Sequence, residues 1–276
     1  MPELPEVETV RRGLVKLIKN KTIKKVKVIY PKIITGDVGQ FEQQLHGKSI
    51  QSIGRRGKLL LFNFDQGLTM ISHLRMEGKY FVKSSLEPLE KHTHVIFEFV
   101  DGSQLRYNDV RKFGRMQLIK TQQVKEVPNL AKLGPEPLDN QFLLVDFIQK
   151  LAGKKKAIKP VLLDQTVVAG LGNIYADEVL WLSKIHPLTP ANKLSPAQIS
   201  LLRQQIIKEL TAAVAAGGTT IRSYTDAFEH SGKFQFDLHV YGRQGQPCQR
   251  CGTEIVKIRV AQRGTHFCPN CQRVTK

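Results

Sequence analysis

Near the start of the chain the apolar positions fall at helical spacing. Val7, Val10, Leu14, Leu17 and Ile18 share one face of VETVRRGLVKLI, and Pro5 suits a first helical turn. From about Thr22 to Ile119 the period shortens to that of strands. The runs KVKVIY, KLLLFNF, LTMISHL, KYFV, HVIFEFV, QLRYNDV and MQLI are short, rich in β-formers and separated by Gly, Asp or Asn turns. Seven such runs predict a β-sandwich of Greek-key type. LGPEPL at Leu133–Leu138 reads as a linker. Behind it the pattern is helical again, in FLLVDFIQKLAG, IKPVLLDQ, NIYADEVLWLSKI and AQISLLRQQIIKELTAAVAAGG. The tight turn VVAGLG separates the second and third of these, an arrangement able to set a turn and a helix N-terminus on a phosphate. Gly217-Gly218 ends the last helix. Residues 219–237 have no clear period and read as a loop. The expected architecture is α+β and multidomain. It has an N-terminal helix and β-sandwich over 1–133, a helical domain with its loop over 134–237, and a separate tail over 238–276.

Charge narrows what such a chain can do. Forty-two Lys+Arg against 24 Asp+Glu give a net charge of +18 and a pI near 9.8. An excess of this size points to a polyanion, whether DNA, RNA or an anionic membrane, since solubility alone would be served as well by acidic groups. No stretch approaches the roughly 18 consecutive apolar residues of a membrane span, and the N-terminus carries no apolar signal core. The expected setting is the cytoplasm, with thiols reduced.

All four cysteines lie in the tail, as Cys248, Cys251, Cys268 and Cys271. Two C-x2-C pairs sixteen residues apart have the spacing of a tetrathiolate zinc site, with room for a hairpin between the pairs. Two disulfides are the competing reading, and a reducing compartment weighs against them. Four thiolates leave no open coordination position, so the expected cofactor is one structural Zn²⁺. PCQRC half-matches a nucleobase deaminase signature, but no histidine is followed by the required x-E. From residue 238 onward the tail holds seven Lys+Arg against Glu254 alone, which makes it a DNA-facing module as well as a staple.

The N-terminal MPELPE offers a different chemistry. A small Pro2 permits removal of Met1, which exposes a secondary amine. An α-amino group titrates at about 7.7–8.0, against ~10.4 for lysine. A fraction is therefore neutral and nucleophilic at pH 7 without deep burial. The alternative is an idle, frayed terminus.

PELPEVET, RRGK at Arg55–Lys58, SHLRMEG at Ser72–Gly78, RKFGR at Arg111–Arg115, GLGNIYADE at Gly170–Glu178 and the four-cysteine hairpin occur in that order. Together they resemble the formamidopyrimidine-DNA glycosylase family over essentially the whole chain. PELPE and RKFG are similar to its purine-lesion branch rather than to the endonuclease VIII branch, which favours oxidised pyrimidines. The resemblance implies a β-sandwich catalytic domain, a helix–two-turn–helix domain and a zinc-finger hairpin. It implies a bifunctional DNA glycosylase and abasic-site lyase that removes 8-oxoguanine and formamidopyrimidines from damaged double-stranded DNA and nicks the strand by β,δ-elimination. A monomer is expected, with no membrane partner, located with a bacterial chromosome.

The same resemblance assigns roles. Pro2 matches the nucleophile and Glu3 the general acid/base, whose pKa would have to be raised. Glu6 reads equally as a helix-start carboxylate suited to the dipole or as a catalytic group. Lys58 matches a residue that contacts the lesion phosphate and assists β-elimination. Arg263, at the expected hairpin tip with Gly264 in the turn, matches the residue of δ-elimination. Asn173 is an ordinary helix cap that also matches a phosphate clasp. His92, Arg111, Lys154 and Tyr241 match DNA contacts, although the run Lys154–Lys156 also suits a solvated face. Met76, Arg111 and Phe113 match three residues that fill the void left by the extruded base; by composition alone Met76 and Phe113 would be strand-core residues. The segment 219–237 matches the loop that covers the flipped base. A non-catalytic zinc-ribbon DNA binder is the rival from another class, and the Pro2–Glu3 pair weighs against it.

Overall fold

The computed structural model describes residues 1–219 and 232–274. The chain divides into two compact units, Met1–Ala131 with Ala216–Lys233, and Lys132–Ala215 with Phe234–Lys276.

The first unit opens with α1 (Leu4–Ile18), whose Pro5 lies in the first turn and whose Val7, Val10, Leu14 and Ile18 are buried. It continues through β1 (Ile23–Val28) and a short helix α2 (Val38–Leu45), capped by the Asp37 carboxylate, which accepts from the Gln40 N–H at 2.7 Å. The strands β2 (Ile50–Arg56), β3 (Leu59–Phe64), β4 (Leu68–His73), β5 (Lys79–Ser84), β6 (Thr93–Phe99), β7 (Ser103–Asn108) and β8 (Arg115–Lys120) follow, and a single helical turn α3 (Pro128–Ala131) closes the run. One sheet has the order β1-β6-β7-β5 and the other β2-β3-β4-β8, with all neighbours antiparallel. Alternate residues of both sheets, among them Phe62, Met70, Tyr80, Phe97, Leu105 and Tyr107, join the apolar face of α1 in one core.

This is the expected sandwich with one strand more than the seven expected. β2 escapes the alternation rule because a bulge between Ile50 and Ser52 leaves its buried Ile50 and Ile53 three residues apart.

The second unit holds α4 (Leu144–Ala152), α5 (Ile158–Leu163), α6 (Asn173–Leu182) and α7 (Pro196–Ala215), followed by the hairpin β9 (Val256–Val260) and β10 (Arg263–Phe267). The Gln165 side chain staples the turn before α6, accepting from the Gly170 N–H at 2.8 Å and donating to the Leu171 carbonyl at 2.8 Å. The hairpin corrects one expectation. Its two turn residues are Ala261 and Gln262, at φ 45° and 62°, while Gly264 lies in β10 opposite Arg259. Of the 219–237 segment, residues 220–231 lie outside the described residues; Phe234–Phe236 form one 3-10 turn. Among the described residues no helix is long and apolar enough to cross a membrane.

Candidate catalytic terminus and nucleic-acid interface

Pro2 is half-buried and is followed at once by the cap of α1. Glu3 and Glu6 form a reciprocal capping box: the Glu3 N–H donates to Glu6 Oε2 at 2.7 Å, and the Glu3 carboxylate accepts from the backbone of Glu6. The other Glu6 oxygen accepts the Thr219 N–H at 2.8 Å. Each carboxylate is only 2 % exposed. Glu6 thus holds two backbone donors, one on each oxygen, and ties the start of α1 to the chain just ahead of residue 220. Gly218 lets that chain approach: its φ is +79°, and a Cβ there would lie 2.9 Å from Glu6 Oε1.

Lys58 stands in the two-residue turn between β2 and β3, behind Gly57 at φ 54°. It is 7 % exposed, so it is not the free surface lysine that its position in a turn would suggest. Arg55 fixes this turn against α1. Its Nη1 donates to the Gly57 carbonyl at 2.9 Å and its Nε to Glu8 Oε2 at 3.2 Å. Glu8 also pairs with Arg11 at 2.8 Å and Arg12 at 2.9 Å. Nearby, burial together with the charges of Arg75 and Lys58 brings His73 down to about 4, so this imidazole is neutral and adds no cation beside Lys58.

The remaining family-matched residues of this unit lie on its loops. Met76 sits between β4 and β5 and is 38 % exposed; Phe113 sits between β7 and β8 and is 47 % exposed. Neither belongs to the strand core. The Arg111 guanidinium covers the Phe113 ring at 4.7 Å. His92 precedes β6 at φ 76°.

In the second unit the hairpin tip is anchored from beneath. Lys159 and Asp177 form an ion pair at 2.6 Å, with both side chains wholly buried. Lys159 Nζ also donates to the Gly264 carbonyl at 2.9 Å and to Thr265 Oγ1 at 2.8 Å, while Asp177 Oδ2 accepts the His266 N–H at 2.9 Å. Asn173 is the first residue of α6, behind a Gly172 cap, and its Nδ2 donates to the same Gly264 carbonyl at 3.0 Å. Arg263, at the head of β10, is therefore exposed on a rigid base. Glu178 gathers the N–H groups of His239, Val240 and Tyr241 at 2.7, 2.9 and 2.7 Å, which fixes the segment carrying Tyr241. Lys154 has a loose partner, Asp164 at 3.9 Å.

The four cysteine sulfurs all lie within 4.8 Å of one another, with Cys251–Cys268 at 3.5 Å and Cys248–Cys271 at 4.0 Å. A tetrahedral zinc with ~2.3 Å bonds sets its sulfurs about 3.8 Å apart, so the set fits one such ion. The chemistry of the thiols agrees. Donors from Thr253 and Asn270 draw Cys251 down to about 5, whereas burial and neighbouring thiols push Cys271 up to about 12, and only a cation lets all four ionise together. Trp181 Nε1 donates to Cys248 Sγ at 3.4 Å, the outer partner that orients a ligating sulfur. Bound zinc would close the module at these four residues and hold β9–β10.

Glu8, Arg55, Asp177 and Glu178 lie inside the quoted motifs and Lys159 in a predicted helical run, yet the ties that hold the site are not apparent from the sequence, because each reaches a partner many residues away.

A buried carboxylate pair behind an N-terminal proline, cationic and planar side chains raised on loops, and a tetrathiolate ribbon on a strongly basic chain define a class of nucleic-acid-processing protein. The comparisons agree. Residues 1–116 match the formamidopyrimidine-DNA glycosylase N-terminal domain, 133–225 the H2TH domain of the same proteins, and 245–274 a zinc finger found in FPG and IleRS. The formamidopyrimidine-DNA glycosylase of Ligilactobacillus salivarius is 65 % identical over 274 residues, 99 % of each chain. The Lactococcus lactis Fpg bound to DNA containing an abasic site superposes with a TM-score of 0.94 at 50 % identity, covering 98 % of this chain and 99 % of that one. Its complex with Fapy-dG-containing DNA gives 0.93 at 49 %, covering 98 % and 100 %. The chain belongs to the formamidopyrimidine-DNA glycosylase family, the DNA glycosylases of base-excision repair that act on damaged bases and abasic sites.

Proposed function

We propose that this chain excises oxidised purines, 8-oxoguanine and formamidopyrimidines, from duplex DNA and then nicks the strand by β,δ-elimination, working in the cytoplasm on the chromosome. Three functional modules serve this reaction: 1–133 carries the chemistry, 134–237 clasps the backbone, and 238–276 presents Arg263. After loss of Met1 the Pro2 nitrogen attacks C1′ of the damaged nucleotide, and the bond to the base breaks. Glu3 donates a proton as the sugar ring opens. The resulting iminium is an electron sink for the eliminations, which Lys58 and then Arg263 assist by holding the phosphates. Met76, Arg111 and Phe113 fill the void of the extruded nucleotide. Arg111, which has donors only, selects cytosine as the base opposite. Asn173, His92, Lys154 and Tyr241 grip the backbone.

The observation that carries this reading is the helix start. Glu3 is buried and fixed by the capping box directly behind the half-buried Pro2, which supports a carboxylate held next in sequence to the terminal amine, an order that an idle terminus does not need. The Lactococcus lactis complexes with abasic-site and Fapy-dG DNA support the substrate class. The test is borohydride reduction during turnover, which should trap a protein–DNA adduct whose attachment maps to Pro2. An adduct on Lys58, or excision without strand cleavage, refutes the assignment.

A further inference from the structure

Two of the loops that carry the void-filling residues are physically one object. The chain leaves the second sheet at the end of β4, crosses through residues 74–78 and enters the first sheet as β5. It returns from β7 through residues 109–114 to β8. Departure and return are neighbours on both sides, with His73 opposite Arg115 and Lys79 opposite Asn108. The loop with Met76 and the loop with Arg111 and Phe113 therefore run side by side across one end of the sandwich.

Two buried side chains sit between them. Asp109 is wholly buried, and its carboxylate accepts the Arg111 N–H at 3.0 Å on one oxygen and the Gly114 N–H at 2.8 Å on the other. Its main chain donates to the His92 carbonyl at 3.1 Å and accepts the Lys112 N–H at 3.2 Å and the His94 ring N–H at 2.8 Å. The Tyr107 hydroxyl donates to Asp109 Oδ2 at 3.4 Å. The same hydroxyl is wedged between two glycines. A Cβ on Gly114, at the end of one loop, or on Gly78, at the end of the other, would overlap it. Burial, with Tyr80 and Asp109 adding to it, holds the phenol far above its ordinary range, so it remains a donor throughout the working pH range. One oxygen atom thus touches both loops, and one carboxylate organises the loop of Arg111 and Phe113 and the approach of His92.

We propose that Tyr107 and Asp109 are positioning residues that lock the two loops together, so that Met76 enters the stack only in concert with Arg111 and Phe113. This rests on the void-filling reading above. It predicts that opposite-base selection depends on a hydroxyl that never touches DNA. A locked pair presents the Arg111 donors at one height and angle to the orphan base, and an unlocked pair presents a spread of geometries in which cytosine and adenine are read less differently.

Tyr107→Phe tests this, because it removes the oxygen and keeps the ring. Hydrogen exchange on the free protein should quicken in both 74–78 and 109–114. The ratio of excision opposite cytosine to excision opposite adenine should fall about threefold to tenfold, the range set by one lost hydrogen bond, while cleavage of single-stranded abasic DNA, which has no void, changes less than about twofold. Asp109→Asn, which keeps the shape and loses the charge, should act in the same direction. Exchange that quickens in the 109–114 loop alone, or equal losses on single and double strands, overturns the lock. Arg111→Ala serves as the separate control. If it leaves the cytosine preference intact, the void-filling reading of Arg111 falls, while the exchange result still decides whether the loops are coupled.

Discussion

Burial alone would raise the pKa of Glu8. Hydrogen bonds from Arg11 and Arg12 and the charges of Arg11 and Arg55 outweigh it and bring the group to about 2. A carboxylate with a depressed folded value stabilises the protein above its unfolded pKa, here 4.5, and that contribution is lost as pH falls from 4.5 through about 2. Glu8→Gln should therefore cost on the order of 2–3 kcal/mol at pH 7 and flatten the acid limb of the melting curve below pH 4.5. A Tm series from pH 2.5 to 7 on parent and variant checks this, and an acid limb of unchanged steepness refutes it. The consequence reaches past stability, since the Arg55 that Glu8 holds also holds the turn of Lys58. Pro2, Glu3 and Lys58 were legible because they lie in short contiguous motifs. Glu8 lies in the same PELPEVET motif, but its tie to Arg55 was not legible, because that partner lies 47 positions away.

The β9–β10 hairpin turns through two non-glycine residues in left-handed backbone, Ala261 and Gln262, a conformation that costs roughly 1–2 kcal/mol per residue. The strain persists because the hairpin is fixed twice, by the cysteines at its base and by the Lys159–Asp177 pair beneath its tip. Lys159→Met removes one partner of a wholly buried ion pair and should cost about 3–5 kcal/mol, because Asp177 is left uncompensated. The four-cysteine site should keep one zinc equivalent in this variant while DNA binding weakens. Metal analysis beside a binding titration checks both, and loss of zinc with binding intact would refute the division of labour. Strand patterns predicted the sandwich well because most of its strands are short, β-rich runs set off by turn residues. They failed at β2, where a bulge shifts the phase, and at the hairpin, where the expectation of glycine in a tight turn gave Gly264 the wrong place. That glycine's carbonyl is needed in the strand, where it receives both Lys159 and Asn173.

A net charge of +18 suits the chain to a polyanion, yet its interior carries acids that respond to pH in the opposite sense to Glu8. Burial, then the charges of Glu178 and Asp237, push Glu209 up to about 8. Burial also raises Glu178, against the pull of its three backbone donors. For an acid with a raised folded value the unfolded chain releases its proton first. Stability is then greatest below 4.5 and falls as pH rises toward 8. Glu209→Gln should flatten that fall and raise stability at pH 8 by on the order of 2–4 kcal/mol, several degrees in Tm. Melting curves between pH 5 and 8.5 decide it, and a variant whose Tm keeps the parental slope refutes it.

The link between Glu6 and Thr219 spans 213 positions. On a ribosome adding about 5–20 residues per second, the carboxylate emerges on the order of 10–40 s before the backbone donor that completes it. The whole of α4 to α7 is synthesised in the interval, although it belongs to the other unit. The first unit is therefore the first to begin and cannot be finished until its last contributing segment, Ala216–Lys233, has been made. Until then the Glu6 carboxylate lacks one of its two backbone donors, so the start of α1, among the first parts of the chain to be made, reaches its finished hydrogen bonding only after the helices of the other unit exist.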